Sequence, residues 1–292
     1  MPNLLRSTRA TLEMIKWEHS IFALPFALMG AVLAAGGWPS LRVLGWIVVC
    51  MVTARSAAMA FNRYVDAKLD AQNPRTAGRA IPAGQLSSTF VFWFAVVASI
   101  AFLLSAAMLN PLTKELSPAA LSVVLVYSYM KRVTRWSHLV LGLALGISPA
   151  AAWIAVRGTI EPRVLLLTAI VALWVGGFDV LYACQDMEHD RSAGLFSVPA
   201  AFGLKGAFLI ARMMHIGMVL LLFEMLHVFM LGRIALAGVI VVTLLLLYEH
   251  SIVSPKDLRR MNAAFFTLNG VISVLLFGFV AADVVLRQYH LQ

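Results

Sequence analysis

Nine long apolar stretches recur along this 292-residue chain, at approximately 18–36, 41–61, 88–109, 117–130, 137–156, 164–183, 206–226, 229–249 and 263–286. A helix needs about 20 consecutive apolar residues to cross the hydrocarbon core of a bilayer. Inside lipid every backbone N–H and C=O must be bonded within the spanning structure, so unbroken stretches of this length read as helices. The expected fold is therefore an all-α polytopic membrane protein, a bundle of nine transmembrane helices, with the fourth stretch the shortest. Hydrophobic residues make up 61% of the chain and charged residues 13%, which excludes an ordinary soluble domain. Turns are marked by Gly36-Gly37-Trp38-Pro39, Asn110-Pro111 and Arg157-Gly158. No linker or composition shift divides the chain, so a single domain over 1–292 is expected. No small-residue cleavage pattern follows the first apolar stretch, and no removable signal peptide is read there.

The net charge of +9 could suggest a nucleic-acid partner, but the basic residues are scattered through short loops and do not form one patch. Membrane topology explains them better. With nine spans, one side of the bilayer carries 15 Lys and Arg residues (Arg6, Arg9, Lys16, Arg63, Lys68, Arg75, Arg79, Lys131, Arg132, Arg135, Arg191, Lys205, Lys256, Arg259 and Arg260). The other carries six, and Arg55 and Arg212 lie inside spans. Cytoplasmic loops are enriched in Lys and Arg, which puts the N-terminus inside and the C-terminus on the opposite side of a cell (inner) membrane. Cys50 and Cys184 both fall in apolar segments, so neither a disulfide framework nor a thiolate metal site is implied.

Carboxylates at membrane depth cost about 2.5–3.5 kcal/mol each on insertion scales, so they normally line a cavity or bind something. Here they concentrate. Asn62, Asp66 and Asp70 stand four residues apart directly after an apolar helix, and residues at that spacing share one helix face. Arg63 and Lys68 are expected on other faces. Far downstream Asp179, Tyr182, Asp186 and Asp190 repeat the three- and four-residue spacing. Both stripes fall on the cytoplasmic side, so a cytoplasm-facing acidic cavity is expected. Mg²⁺ prefers hard oxygen ligands and usually takes one or two carboxylates with substrate phosphates and water. Two facing stripes could thus hold Mg²⁺ ions that bridge to a diphosphate.

Basic residues near the stripes fit the same ligand. Arg75 and Arg79 follow the first stripe, and Lys131-Arg132 closes the fourth span. Arg offers phosphate a bidentate fork and Lys a compact charge. For Lys131, Arg132 and Arg135 as a group, anchoring to the membrane face explains the charges about as well as ligand binding does. Arg55 lies seven residues before Asn62, two turns deeper on the same face, where an unpaired charge would be costly. A diphosphate beside a bilayer has an obvious apolar partner in a polyprenyl chain. Metal and basic residues would stabilise the departing diphosphate, and the allylic cation left behind can be attacked by an electron-rich acceptor. Phe22, Tyr127 and Phe178 are candidate cavity aromatics for that cation.

These residues resemble the UbiA-type intramembrane prenyltransferases. The first family motif is matched by Asn62, Asp66 and Asp70, continued by Arg75-Thr76 and Arg79 and closed by Pro82-Ala83-Gly84. The second is matched by Tyr182, Asp186 and Asp190, preceded by Asp179. Between them Tyr127 to Arg132 matches the Tyr-x-x-x-Lys-Arg signature, and Phe202-Gly203 follows. The resemblance covers essentially the whole chain. It implies that Asp66, Asp70, Asp186 and Asp190 bind Mg²⁺ and diphosphate, with Asp179 a further candidate ligand. It implies that Asn62, Arg75, Arg79, Lys131 and Arg132 support the diphosphate, and that Arg55 and Tyr182 sit near the aromatic acceptor. The general likeness is to members that join a polyprenyl chain to 4-hydroxybenzoate in ubiquinone synthesis. Two residues depart from those members: Arg63 stands where many have Asp, and Ser128 where they often have Pro. A related branch prenylates 1,4-dihydroxy-6-naphthoate in menaquinone synthesis, so the acceptor stays open between the two.

Two rival classes use similar residues. Intramembrane aspartates also mark ion-coupled transporters, but broken helices at midplane are not evident and both stripes lie at helix ends. Phosphatidyl-type transfer also uses clustered aspartates, but in a compact Asp-x-x-Asp-Gly-x-x-Ala-Arg pattern that is missing here. The seven histidines are scattered, and are read as interfacial or packing residues and not as a catalytic or zinc set.

Overall fold

In the computed structural model, residues 2–15, 20–258, 261 and 263–290 are described. Lys16, Arg259 and Arg260, counted above for topology, and His19 lie outside them, as does the side chain of Phe22. The described residues form eleven α-helices and no sheet, with one isolated bridge between Ser254 and Asp257. Seven helical segments are long and apolar enough to cross a membrane, which makes the chain a multi-span membrane protein. They are Leu41–Gln72, Ser88–Ala107, Ser137–Arg157, Val164–Ser192, Val198–Val228, Arg233–Ile252 and Phe266–Gln288. The first and fourth expected spans fall in α2 (Ser20–Ala35) and α5 (Pro111–Val126), each of 16 residues and below that length.

Helix ends follow local chemistry. In α3 (Leu41–Gln72) and α4 (Ser88–Ala107), Ser40 and Ser87 cap the first turns through their hydroxyls, accepting from Val43 N and Phe90 N. Asn110 caps α5 in the same way, with Pro111 at the first turn, where its missing N–H costs nothing. This start lies earlier than the apolar pattern alone suggests, and α5 tightens at its far end into a 3₁₀ turn, Tyr127–Arg132. Likewise α9 (Val198–Val228) begins well before its apolar stretch, capped by Ser197, and breaks helical geometry once at Gly203 with φ +69°. A left-handed backbone there favours glycine, which explains the Phe202-Gly203 pair.

The central helix is α7 (Val164–Ala183), in which eleven of twenty residues are buried. Its face meets α6 (Ser137–Arg157) so closely that a Cβ on Gly142 would lie 2.2 Å from the Ala172 carbonyl oxygen. Small residues at such crossings let two membrane helices approach backbone to backbone. Around α7, Trp174 stacks against Phe26 (ring centroids 4.8 Å apart) and Phe178 (4.9 Å), within a core shared with α2, α6, α9, α10 (Arg233–Ile252) and α11 (Asn269–His290). The second acidic stripe is carried on the C-terminal end of α7, a 3₁₀ turn Cys184–Asp186 and the short α8 (Met187–Ser192). The first is carried on the end of α3, a 32-residue helix. An element without a counterpart in the apolar pattern is α1 (Pro2–Ile15). Its Ala10 and Met14 pack on Ala60, Ala80 and Leu86 beside the first stripe.

Candidate active site

A cavity of about 980 Å³ opens between α3, α5, α6 and α7. Its wall carries Arg55, Asn62, Arg63, Arg75, Arg79, Asp179 and Tyr182, and apolar side chains such as Ala120, Val123 and Ala151 make up most of the remainder. Tyr127 and Phe178, two of the aromatics expected there, line it. The pattern of α3 explains its polar wall: residues 51, 55, 58, 59 and 62 all face the cavity, at the spacing of one helix stripe.

The first stripe is held from three directions. Asp66 is buried, and each of its oxygens meets a cation: Lys131 Nζ lies 2.7 Å from Oδ2 and Arg132 Nη2 lies 2.7 Å from Oδ1. Asn62 Nδ2 adds a third donor to Oδ2 at 3.0 Å. Lys131 and Arg132 reach it because the 3₁₀ turn ending α5 sets both beside α3, and Arg132 also donates to the carbonyls of Ser128 and Val65. Asp70, one turn on, accepts from Arg79 Nη1 at 2.6 Å through Oδ1. Its Oδ2 is buried with no hydrogen-bond partner among the described residues.

The second stripe is held by the loop that follows the first. Arg75 grips Asp186 with its fork, Nε to Oδ1 at 2.7 Å and Nη2 to Oδ2, and its Nη1 donates to Tyr182 Oη at 3.1 Å. Asn73 Nδ2 adds a bond to Asp186 Oδ1 at 3.0 Å, while Asn73 Oδ1 accepts from the backbone N–H of Arg75. Burial works to lower the Arg75 pKa, but the hydrogen bond and charge of Asp186 outweigh it and hold the guanidinium above its ordinary value. Asp190 forms no ion pair among the described residues, and Ser197, Asp186 and Lys131 are its polar neighbours. A backbone bond from Phe196 N to Lys131 O, 2.7 Å, ties the turn bearing Lys131 to the loop after α8.

Asp66, Asp70, Asp186 and Asp190 thus stand behind the cavity wall, with Arg75 and Arg79 between two of them and the cavity. No three His, Cys, Asp or Glu side chains converge as a ready ligand set among the described residues. Asp179, a further candidate ligand, accepts from His138: Nδ1 lies 2.7 Å from Asp179 Oδ2, and His138 Nε2 accepts from Val198 N at 3.3 Å. That second bond fixes the ring proton on Nδ1. His138, read from the sequence as a packing residue, is therefore a partner of a cavity carboxylate. Arg63, expected on another face and as a topology charge, is buried and lines the cavity. The signal for it was present: Arg63 lies three residues before Asp66 and seven before Asp70, which is the same face of a helix. Counting only in fours from Asn62 hides it.

The sequence matches the UbiA prenyltransferase family over residues 23–271. A curated relative, the 4-hydroxybenzoate octaprenyltransferase of Vibrio cholerae serotype O1, is 35% identical over 198 residues, 67% of this chain and 70% of its own. The apo structure of a UbiA homologue from Aeropyrum pernix K1 superposes with a TM-score of 0.84 at 33% identity, over 92% of this chain and 98% of that one. A UbiA homologue from Archaeoglobus fulgidus bound to GPP and Mg²⁺ shares the fold, with a TM-score of 0.69 at 19% identity over 94% of this chain and 99% of that one.

Proposed function

Because the chain belongs to the UbiA prenyltransferase family, we propose that it transfers a polyprenyl group from polyprenyl diphosphate to a ring carbon of a hydroxylated aromatic acid, 4-hydroxybenzoate first. Family membership sets the transporter reading aside. The observation that carries the proposal is the clasp between the two motifs: Arg75 and Asn73, from the first, hold Asp186 of the second beside a cavity walled mostly by apolar side chains. A diphosphate belongs beside these charges, and the prenyl chain along the apolar wall.

Mg²⁺ fits this donor set. The four aspartates supply hard oxygens, Asp70 Oδ2 is buried without a hydrogen-bond partner among the described residues, and the lack of a converged three-ligand cluster suits an ion that completes its shell with phosphate and water. Asp66, Asp70, Asp186 and Asp190 would hold it. When bound it supplies positive charge to the diphosphate oxygens. The chain's own residues do the rest. Arg75, Arg79, Lys131 and Arg132, now paired with carboxylates, bring positive charge to the departing diphosphate. Phe178, Tyr127 and Tyr182 line the cavity and supply aromatic rings to stabilise an allylic cation. Arg55, at the deeper level of α3, binds the acceptor's carboxylate as a fixed fork. Overall the allylic C–O bond breaks with its electron pair going to diphosphate, a ring C–C bond forms and one ring proton is released.

The whole of 1–292 is read as one such domain, with α2 and α5 as membrane crossings besides the seven longer segments. Nine crossings and the excess of Lys and Arg on the motif side put the N-terminus and the cavity mouth in the cytoplasm. A reporter fused to the C-terminus should then be active only on the far side of the membrane, and a cytoplasmic signal would reverse the orientation. The activity is tested on membranes containing the protein, given a polyprenyl diphosphate, Mg²⁺ and either 4-hydroxybenzoate or 1,4-dihydroxy-6-naphthoate, with mass spectrometry of the products. Prenylated hydroxybenzoate, abolished by EDTA, is expected. Product from the naphthoate alone would change the acceptor, and no product from either would overturn the proposal.

A further inference from the structure

Arg63 is a buried cation that the proposed chemistry has not yet used. It sits one residue after Asn62, lines the cavity and, among the described residues, makes one hydrogen bond, from Nη1 to Asn62 Oδ1 at 3.3 Å. A guanidinium carries five N–H donors, so most of its capacity remains open. Its charged neighbours are Arg79, Asp70 and Asp66, with the Tyr127 hydroxyl beside them. Asp66 is already engaged on both oxygens by Lys131, Arg132 and Asn62, and Asp70 is engaged by Arg79 through Oδ1. Arg63 itself forms no ion pair among the described residues. A buried cation without an ion pair of its own is costly at membrane depth, and this cost is reduced if an anion occupies the cavity beside it.

Which anion is decided by level along α3. Arg55 lies eight residues deeper, about 12 Å along the helix axis. Arg63 lies level with Asn62 and within reach of the field of Arg79, at the end where the two motifs meet. Given the prenyl-transfer reading, on which this step rests, we infer that Arg63 is a further diphosphate-binding residue: its free N–H donors bind the oxygens of the departing diphosphate. The ring carboxylate of the acceptor is left to Arg55. Arg63 takes no part in forming the C–C bond or removing the ring proton. Its fixed positive charge favours a diphosphate over a phosphate monoester, which carries one fewer ionised oxygen.

The test uses the full-length protein in lipid nanodiscs with Mg²⁺, and reads the affinity of geranyl S-thiolodiphosphate and of inorganic pyrophosphate by calorimetry. Arg63→Met should weaken both by about 10- to 100-fold, the range for losing a charge-assisted bond, and should leave the acceptor KM within about twofold. Arg63→Lys keeps the charge but not the fork and should fall between. Unchanged diphosphate affinity in Arg63→Met overturns the inference, and a raised acceptor KM in the same variant would move the residue to the carboxylate. Should Arg63→Met fail to fold, Arg63→Lys decides: a loss of at least about threefold in analogue affinity is expected, and none overturns it. Asp66→Asn separates this inference from the proposal beneath it. Binding by the natural protein that is lost in Asp66→Asn but kept in Arg63→Met defeats only the role of Arg63, whereas no binding by the natural protein defeats both.

Discussion

The two acidic motifs look alike as sequence and are supported differently. Asp66 is enclosed by its own helix and the turn after α5, with two cations and an amide on its oxygens. Asp186 depends on donors from 111 and 113 residues away, Arg75 and Asn73, and Asp190 has no ion pair among the described residues. The first motif is therefore part of what holds the bundle together. The second is positioned by the first and carries less of the packing. Substitutions in the two motifs should separate activity from stability.

The largest effect is expected at Asp66. Asp66→Asn removes a proposed Mg²⁺ ligand and leaves Lys131 and Arg132 facing a neutral amide. Activity should fall by more than about 1,000-fold, as when a group central to charge stabilisation is lost. Stability should fall as well, by about 2–3 kcal/mol; this lies below the usual cost of breaking a buried pair because both cations are about one-third exposed. Thermal unfolding in detergent and a product assay would show both losses. Full activity would remove Asp66 from the metal set, and unchanged stability would break the contrast between the motifs.

Asp190→Asn should lose activity to a similar degree, by more than about 100-fold, with the melting temperature unchanged. Among the described residues there is no ion pair to break. A stability loss equal to that of Asp66→Asn would mean that Asp190 carries packing after all.

These contrasts bear on what could be read from the chain alone. Stripes four residues apart are visible because a helix is local: Asn62, Asp66 and Asp70 stack whatever surrounds them. The membrane class is visible because lipid leaves few ways to satisfy a backbone. Long-range partners are not visible. Nothing in the spacing says that Asn73 meets Asp186, that His138 meets Asp179, or that His215 Nδ1 sits 2.9 Å from His250 Nε2. In a chain apolar on all faces, hydrophobic periodicity also fails to show which side of α3 is lipid-facing. That is why Arg63 could be assigned to another face while its spacing to Asp66 and Asp70 pointed inward. Helix starts at Asn110 and Ser197 precede their apolar stretches because capping chemistry, not hydropathy, sets them.

The clasp between the motifs is tested next by Arg75→Ala. It frees Oδ2 of Asp186, leaves Oδ1 to Asn73 alone and takes a donor from Tyr182 Oη. About a 10- to 100-fold fall in kcat/KM for the prenyl diphosphate is expected, the magnitude of one charged hydrogen-bonding partner. The acceptor KM should change little. A double-mutant cycle with Asp186→Asn should be strongly non-additive, since the two residues act as one unit. Additive losses would mean that the contact does not couple the motifs.

The smallest effect, and the sharpest reading of the contrast, is expected from Asn73→Ala. Asn73 is uncharged, so its removal leaves the charge of the site intact. What goes is a 3.0 Å bond to Asp186 Oδ1 and a 2.9 Å bond that orients the Arg75 backbone. One neutral donor to a carboxylate and one loop bond together should contribute about 1–2 kcal/mol, or about a 5- to 30-fold fall in kcat/KM. The same change should be weaker in an Arg75→Ala background, because Asn73 works partly by presenting Arg75. If Asn73→Ala instead lowers activity as far as Arg75→Ala does, the loop geometry and not the guanidinium charge holds the second motif in place. In that event the asymmetry between the motifs is one of backbone, and Arg75→Lys should then restore most of the activity that Arg75→Ala removes.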